Sequence, residues 1–273
     1  MRLAVLGSGS GGNATLLECD GRYLLVDAGL SAKQITLRLK LLGIEPSQLE
    51  GILLTHEHGD HVKGLEVFLR KNPMPVYATD LTREALSRKD KGWSWRLFRA
   101  GQSFDVAGVS VESFSIPHDA VDPVGFLFAG NQAQAAVLTD LGHATPRVRE
   151  IVRGVKAMVL ESNYCDRMLE DDLTRPWSLK QRISSRHGHL SNAQACALAT
   201  ELIEHGLERV ILGHLSRDCN KPEVAEKAFT NLPLRQVVVA SQDQPTAWVR
   251  VAEPPVEVDE LGQMLFAGLS LAG

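Results

Sequence analysis

Short apolar runs separated by turn-forming residues extend along most of the chain, and this pattern predicts β-strands that alternate with helices. The first run covers Met1 to Leu6, and a glycine-rich loop and two more apolar runs, joined by Asp20-Gly21, follow it. An Asp-Gly pair between apolar runs predicts a hairpin with a type I′ turn. Beyond residue 30 the apolar positions take helical spacing, between Ser31 as a cap and Gly43 as a stop.

Later segments continue the alternation of strands and helices. Ser191 and Gln194 have the spacing of a capping box, which predicts a helix from Asn192 to about His205 that ends at Gly206. Another helix is expected near 222–229. Further apolar runs predict strands at 51–54, 73–78, 103–116, 123–128, 135–140, 155–160, 209–212, 236–240 and 247–251. This order of elements indicates an α/β protein.

The glycine-rich loop at 7–13 raises the question of dinucleotide binding. That fingerprint needs a helix directly after the glycines, to present its N-terminus to the pyrophosphate. A hairpin is predicted there instead, so this interpretation is disfavoured. The glycines either let the backbone pass close to a functional site or make an ordinary turn.

The densest chemistry lies between His56 and His61, directly after the strand predicted at 51–54. Three histidines and two carboxylates occupy these six positions. Imidazole nitrogens with an aspartate oxygen suit Zn²⁺, Mn²⁺ or iron better than an all-oxygen calcium site. The zincin pattern H-E-x-x-H would need a histidine where Asp60 stands. The spacing of His56 and His58 fits a loop, with Asp60 and His61 at the start of a helix.

Length and composition limit the class of protein further. With 273 residues, of which 44% are hydrophobic, the chain can form one large domain over residues 1–252, with residues 253–273 as a poorly anchored tail. No apolar run reaches the roughly 18 residues of a membrane span, and no early stretch has the form of a signal peptide. The four cysteines are scattered without a C-x-x-C pair, which favours reduced thiols. We therefore expect a cytoplasmic protein with no membrane partner.

The charge of the chain excludes a broadly basic surface. The formal net charge is −4, so any contact with nucleic acid must be local. Residues 83–99 combine several basic side chains, Arg88 among them, with Trp93 and Trp95, a mixture typical of such a contact. A solvated helix end with both tryptophans packed into the fold explains the same residues equally well.

The pattern H-x-H-x-D-H after a strand resembles the metallo-β-lactamase superfamily of binuclear metal hydrolases, and the chain is most similar to its YycJ-like family of small nucleases. One departure from the family pattern is Tyr164-Cys165, where His-Asp is typical. The resemblance implies a four-layer αββα sandwich of two mixed β-sheets. It is carried by Gly7 to Ser10, Asp27 to Ser31, Thr55 to His61, Ile116 to Ala120, Thr139 to Gly142, Gly188 to Asn192 and His214 to Ser216.

The same resemblance implies two divalent metal ions, Zn²⁺ or Mn²⁺, with iron as a third option, and a metal-bridging hydroxide as nucleophile. Two such ions bring four positive charges, and two aspartates and a hydroxide return only three. An anionic substrate is therefore expected. By resemblance, one ion is held by His56, His58 and His118, the second by Asp60, His61 and His214, and Asp140 bridges them.

Residues beyond the ligands are assigned by the same resemblance. His189 is similar to a histidine of transfer-RNA 3′-processing nucleases and is expected to protonate the leaving oxygen, with Glu161 orienting it and Asp60 also counted as catalytic. His189 precedes a predicted helix, whose first N–H groups can bind phosphate. The candidate substrate contacts are Lys180, Arg182, Ser191, Asn192 and Ser216.

The family resemblance implies phosphodiester hydrolysis, as a DNA exonuclease that works 5′ to 3′ with DNA as its partner. The alternative is a glyoxalase II-type thioester or lactone hydrolase on the same metal centre. That alternative leaves the basic residues near Arg88 and Arg182 without a role. A metal-bound protein without catalytic activity is a third hypothesis, and it leaves a complete ligand set and a candidate proton donor unused.

Overall fold

The computed structural model describes residues 1–130 and 133–252, and its strands form two sheets. Each sheet has seven strands within the described residues. Numbered in chain order, the strands are β1 (Arg2–Gly7), β2 (Ala14–Cys19), β3 (Arg22–Val26), β4 (Leu49–Leu53), β5 (Pro75–Thr79), β6 (Ser94–Phe98), β7 (Ser103–Val106), β8 (Val109–Ser115), β9 (Val124–Ala129), β10 (Gln134–Leu138), β11 (Ala157–Glu161), β12 (Arg209–Gly213), β13 (Gln236–Val239) and β14 (Val249–Arg250).

Both sheets are mixed, with an antiparallel half and a parallel half. The first sheet has the order β14-β1-β2-β3-β4-β5-β6 and is parallel from β3 onward. The second has the order β13-β12-β11-β10-β9-β8-β7 and is parallel from β10 to β13. Because parallel strands in one sheet end at the same edge, the loops after β3, β4, β10, β11 and β12 can meet there.

Helices cover the outer faces of both sheets. Three apolar clusters separate the layers: one between the sheets, one between the first sheet and its helices, and one between the second sheet and its helices. The predicted αββα sandwich of two mixed sheets is therefore confirmed. The helices of the described residues are α1 (Ala32–Leu41), α2 (Gly59–Val62), α3 (Leu65–Lys71), α4 (Asp80–Ala85), α5 (Pro146–Ile151), α6 (Asp166–Asp171), α7 (Trp177–Ile183), α8 (Asn192–Ile203) and α9 (Pro222–Phe229).

Most local predictions agree with the structure. Asp20 and Gly21 both have positive φ, as a type I′ turn requires, and Ser31 caps α1. The capping box of Ser191 and Gln194 is present, and α8 ends two residues before the predicted His205. The helix predicted after the histidine-rich loop is divided into α2 and α3. Gly64 stands at the break, packed so closely on residue 30 that a Cβ would lie 1.9 Å from a carbonyl oxygen.

Two predictions about the organisation of the chain are not tested by these helices and strands. The tail predicted at 253–273 lies outside the described residues, and the single domain over 1–252 stays a prediction. No helix in residues 1–130 and 133–252 has the length and apolar character that spanning a bilayer requires.

Gly29 is a test of how tightly the loop after β3 is packed. A Cβ at Gly29 would lie 1.6 Å from the carbonyl oxygen of Asp60, whereas a Cβ at Gly59 would meet nothing within 4 Å. Because backbone must move to admit the methyl group, we expect Gly29→Ala to lower the free energy of unfolding by about 3 kcal/mol. Gly59→Ala, the control in the neighbouring histidine-rich segment after β4, should change it by less than about 1 kcal/mol. Urea denaturation of both variants measures this, and equal stabilities would contradict the packing argument.

Candidate metal centre

The residues predicted as metal ligands converge at one edge of the sandwich, on loops that leave strands of both sheets. The histidine-rich loop follows β4 of the first sheet, while His118, Asp140 and His214 follow β8, β10 and β12 of the second. Asp140 and His214 are almost fully buried. The fold thus brings together side chains that lie more than 150 positions apart in the sequence.

Three residues at this edge have left-handed backbone although none is glycine. Asp27, Asp140 and His214 have φ values of 62°, 56° and 54°. Such a conformation costs about 1 kcal/mol or more for a residue with a Cβ, and it concentrates at functional sites. Each of the three lies one or two residues after a buried strand. The strain therefore coincides with the groups that line the metal centre.

The candidate ligands form two adjacent groups. Nitrogen atoms of His56, His58 and His118 all lie within 4.8 Å of one another, and His118 Nε2 is 3.3 Å from His58 Nδ1. A second group is made by Asp60 with His61 and His214; the Oδ2 atom of Asp60 is 3.4 Å from His214 Nε2.

Asp140 lies between these groups. Its Oδ2 atom is 3.0 Å from Nε2 of His61, and its Oδ1 atom is 3.7 Å from Nε2 of His118. The Oδ1 atom also lies 3.5 Å from Nδ1 of His214, so the Asp140 carboxylate is close to histidines of both groups. The division of these residues between two metal ions, which the family resemblance implies, stays a prediction.

The orientation of the imidazole rings fits metal binding. Protein groups hold the Nδ1 atoms of four histidines: the Thr55 hydroxyl for His56, Asp27 for His61, the carbonyl of residue 188 for His118 and Glu161 for His214. The Nε2 atoms are thereby left to face the centre. His56 Nε2 is buried and has no hydrogen-bond partner in the described residues, as expected of a ligand for a cation.

Among the protein groups alone, protonated imidazoles balance the negative charge of the buried carboxylates. Burial by itself lowers the pKa of His214, but Asp140, Asp60 and Glu161 raise it to about 10. Burial also opposes the charge of His61, yet Asp140 and Asp27 hold its pKa well above the usual value. The two imidazoles in turn overcome the effect of burial on Asp140 and keep its pKa well below the usual range. A cation entering the centre must displace these protons.

Asp27 orients His61 from behind. The Nδ1–H of His61 donates to Asp27 Oδ2 over 2.7 Å, and Thr55 donates to the same carboxylate through its backbone N–H and its hydroxyl. The carboxylate can only accept, so it holds a proton of His61 on Nδ1 and turns Nε2 toward the centre. Asp27 is part of a motif noted in the sequence, but no role was predicted for it. An aspartate that ends an otherwise apolar strand is the signal that could have identified it.

Glu161 organises the second sheet's side of the centre. This fully buried carboxylate accepts from Nδ1 of His189 at 2.8 Å and from Nδ1 of His214 at 2.7 Å. Its other oxygen accepts from the backbone N–H groups of Leu141 and Leu190. Burial raises the pKa of Glu161, but His189 and His214 lower it further than burial raises it. The predicted pairing of Glu161 with His189 is present, and its contact with His214 was not foreseen.

The glycine-rich loop passes against the centre. Asn13 Nδ2 lies 3.2 Å from His61 Nε2 and 3.4 Å from Asp60 Oδ2. The Ser8 hydroxyl donates to Asn13 Oδ1 and accepts from the backbone N–H of His214. Of the two interpretations of this loop, the structure supports close approach to the site. Contacts made by Ser8 and Asn13 could not be read from the sequence.

A cavity of about 160 Å³ opens beside His118 and His189, whose side chain is 22% exposed. Arg182 lines this cavity and donates to the carboxylate of Asp119. Lys180 does not line it. The Lys180 ammonium group instead donates to the backbone carbonyl of Glu170, on another side of α7. Of the two predicted basic contacts, only Arg182 is therefore brought to the cavity.

The other predicted substrate contacts are engaged inside the protein. Ser191 is 1% exposed and caps α8, and Asn192 bonds to the hydroxyl of Ser162 and to Asn220. The backbone N–H of Asn192 donates to residue 164, so the start of α8 is filled by protein groups. Ser216 is partly exposed and accepts from the N–H of residue 219. The side chains of Ser191 and Asn192 do not reach the cavity, because capping and the interior network use them.

In the basic segment at 83–99, both tryptophans pack into the fold, as the second explanation of this segment expects. Trp93 and Trp95 pack against the core between the first sheet and its helices. The indole N–H of Trp95 donates to Asp90, which also accepts two backbone N–H groups of the turn. These tryptophans therefore stabilise the fold at the edge strand β6.

A four-layer sandwich with a buried cluster of imidazoles and carboxylates at one edge defines a class of α/β proteins built around a metal centre. The profile of the family described as “Beta-lactamase superfamily domain” matches residues 22–215, and the chain belongs to this family.

Individual proteins within and beyond this family are also similar to the chain. The chain is 36% identical over 238 residues to “Exodeoxyribonuclease YycJ” of Bacillus anthracis, which covers 85% of this chain and 89% of the relative. It is 35% identical over 235 residues to “Exodeoxyribonuclease WalJ” of Streptococcus pneumoniae, covering 84% and 87%. A weaker match, 28% over 158 residues and 55% of this chain, is to a hydroxyacylglutathione hydrolase of Xylella fastidiosa.

Solved structures agree on the fold. The metallo-β-lactamase fold protein YhfI of Bacillus subtilis superposes with a TM-score of 0.68 at 15% identity, over 90% of this chain and 99% of that one. At this identity the similarity establishes the architecture alone.

The role of Asp27 leads to a prediction about metal affinity. Asp27→Asn removes the carboxylate that holds His61, so we expect a 10- to 100-fold loss of affinity for Zn²⁺ or Mn²⁺. Competition with a chromophoric chelator measures this affinity. Asp20→Asn is a matched control, because Asp20 also has left-handed backbone but lies in the β2–β3 hairpin. Unchanged affinity in Asp27→Asn would contradict the positioning role.

A second prediction concerns pH. Since the pKa of His214 is raised to about 10 and that of His61 is raised well above its usual value, both imidazoles carry protons near neutrality and must release them to a metal. Apparent affinity for Zn²⁺ should therefore fall as pH falls, by about tenfold per pH unit for each proton displaced. Calorimetry in buffers of different ionisation enthalpy counts the protons. Binding without proton release would contradict the charge balance described above.

Proposed function

We propose that this chain is a metal-dependent DNA exonuclease, working in the 5′ to 3′ direction in the cytoplasm. Similarity to two relatives that carry the name exodeoxyribonuclease supports DNA as the substrate. The observation that carries the proposal is the pair His189 and Glu161, held at 2.8 Å beside the candidate ligands and at the mouth of a cavity. A polarised histidine next to such a centre suits protonation of a leaving oxygen.

Seven side chains would hold two divalent ions in this proposal: His56, His58 and His118 one of them, Asp60, His61 and His214 the other, and Asp140 both. When bound, the ions supply an acidified water and neutralise charge on phosphoryl oxygens. Zn²⁺ and Mn²⁺ both suit this mixture of nitrogen and oxygen ligands.

The chain's own residues handle the leaving group. As the oxygen of a water molecule bonds to phosphorus and the bond from phosphorus to the sugar oxygen breaks, His189 Nε2 donates its proton to the departing oxygen. The proton that the attacking water releases then balances the one that the imidazole has lost. Glu161 accepts the hydrogen bond from Nδ1 throughout, so the ring keeps its orientation toward the leaving group. Arg182 adds positive charge at the cavity, although Asp119 shares it.

A glyoxalase II-type thioester or lactone hydrolase is the second candidate, and the match to a hydroxyacylglutathione hydrolase favours it. That match covers 55% of this chain, against 85% for the first exodeoxyribonuclease. A thiolate leaving group also needs no proton from a histidine, because a thiol is acidic enough to depart as the anion. His189 held by Glu161 therefore has a clearer task in phosphodiester hydrolysis.

The test measures nucleotide release from end-labelled single- and double-stranded DNA with Mn²⁺ or Zn²⁺ added. We expect wild type to degrade DNA and His61→Ala to be inactive. His189→Ala should lose about 100-fold or more in kcat, the usual contribution of a general acid. His205→Ala, at the far end of α8, serves as the matched control and should remain active.

Two further measurements make the outcome decisive. A nitrophenyl phosphodiester releases nitrophenolate, which departs without a proton. With this substrate His189→Ala should recover much of its lost kcat, whereas His61→Ala should recover none. Turnover of S-lactoylglutathione with no DNA hydrolysis under either metal would overturn the nuclease proposal in favour of the thioester hydrolase.

A further inference from the structure

Helix α7 presents two faces to two separate hollows. Leu179 and Arg182 line the cavity beside His189. Trp177 and Lys180, spaced three residues apart, line a second hollow of about 190 Å³, which we call the α7 groove. Besides these two side chains, the groove is lined by Tyr164, Asp166, Leu169, Glu170, Gln181 and Ser184. The groove and the candidate metal centre are thus separated by a single short helix.

Trp177 is much more exposed than a tryptophan that only packs into the fold. Its exposed fraction is 70%, and Leu173 just before α7 is 97% exposed. The other three tryptophans of the chain are partly buried. Large apolar side chains left this exposed are candidates for contact with a ligand. Aromatic rings in such a position offer a face on which a nucleobase can stack.

The charge around α7 favours a polyanion. Residues 173–200 contain no Asp or Glu, although the protein as a whole has a net charge of −4. Lys180 and Arg182 lie in α7, and Arg186 follows it. In the groove, the Lys180 ammonium group donates to the backbone carbonyl of Glu170. A phosphate backbone crossing α7 would meet these cations in succession. The polar groups of Glu170 and Gln181 can hydrogen-bond to the edge of a base.

We propose that the α7 groove is a nucleobase subsite for the single DNA strand that occupies the metal centre, with Trp177 stacking on one base. This inference rests on the proposed function and adds to it a determinant of substrate affinity away from the reacting phosphate. The groove and the cavity beside His189 lie on two faces of the same short helix, so a single strand that crosses α7 can reach both. Together with the stretch at 173–200, which has no Asp or Glu, this placement favours a nucleic acid strand over a protein segment as the occupant.

Binding is tested by tryptophan fluorescence without catalysis. Titration of the chelator-treated protein with short single-stranded oligothymidylate should quench emission in wild type. Quenching should be largely absent in Trp177→Phe, in which the remaining indoles are those packed into the fold. Trp177→Phe keeps an aromatic ring and should still bind DNA, as fluorescence anisotropy of labelled DNA can measure. Equal quenching in both proteins would overturn the proposal.

Kinetics separate the subsite from the catalytic centre. Trp177→Ala should raise KM for single-stranded DNA about tenfold, with little change in kcat, since one stacked base typically contributes that much to binding. Trp177→Phe should recover most of the loss. Hydrolysis of bis(p-nitrophenyl) phosphate, which has no base to reach the groove, should be unaffected. Leu41→Ala, which removes a 64%-exposed side chain from α1, is the matched surface control.

The outcomes distinguish this inference from the proposed function. If wild type degrades DNA while Trp177→Ala keeps the same KM, the subsite is excluded and the nuclease stands. If wild type degrades no DNA with either metal, the function itself fails. Light scattering addresses the other occupant: a wild-type dimer that Trp177→Ala dissociates would assign the groove to a second copy of the chain and overturn the proposal.

Discussion

The structure depends above all on the attraction between buried carboxylates and imidazoles where the two sheets meet. Asp140 is almost fully buried, and only the positive charge of neighbouring groups makes its ionised form tolerable there. Asp27 and Glu161 extend the same attraction outward, each fixing one or two imidazoles from behind. A cluster of this kind is stable when cations replace the protons. The protein's architecture and its candidate chemistry therefore share one electrostatic requirement.

The sheets meet this requirement at a cost in backbone strain. Asp27, Asp140 and His214 each have left-handed backbone at the end of a strand, and the surrounding apolar layers hold them in place. Gly29 adds to the constraint, because the loop after β3 packs directly on the carbonyl of Asp60. Rigid strands thus position the histidine-rich loop more accurately than the loop could position itself. The same rigidity orients the rings so that their Nε2 atoms converge.

Much of the fold could be predicted from the chain because its signals are local. Apolar runs, the Asp20-Gly21 turn and the capping box of α8 all specify neighbouring residues, and the structure agrees with them. The part played by Asp27 could not be predicted, since it depends on how loops of distant sequence pack together. The hydrogen bonds that engage Ser191 inside the protein could not be predicted for a related reason, because they appear only in three dimensions.

Sequence similarity and site geometry support the same chemistry by separate routes. The similarity to relatives named exodeoxyribonucleases supports the proposed DNA substrate, and the ring orientations support the proposed binding of metal ions. Anomalous diffraction from crystals of the Mn²⁺- or Zn²⁺-loaded protein tests the shared claim most directly. The account predicts two peaks, one among His56, His58 and His118 and one among Asp60, His61 and His214, with Asp140 between them. A single peak, or none at these residues, would contradict it.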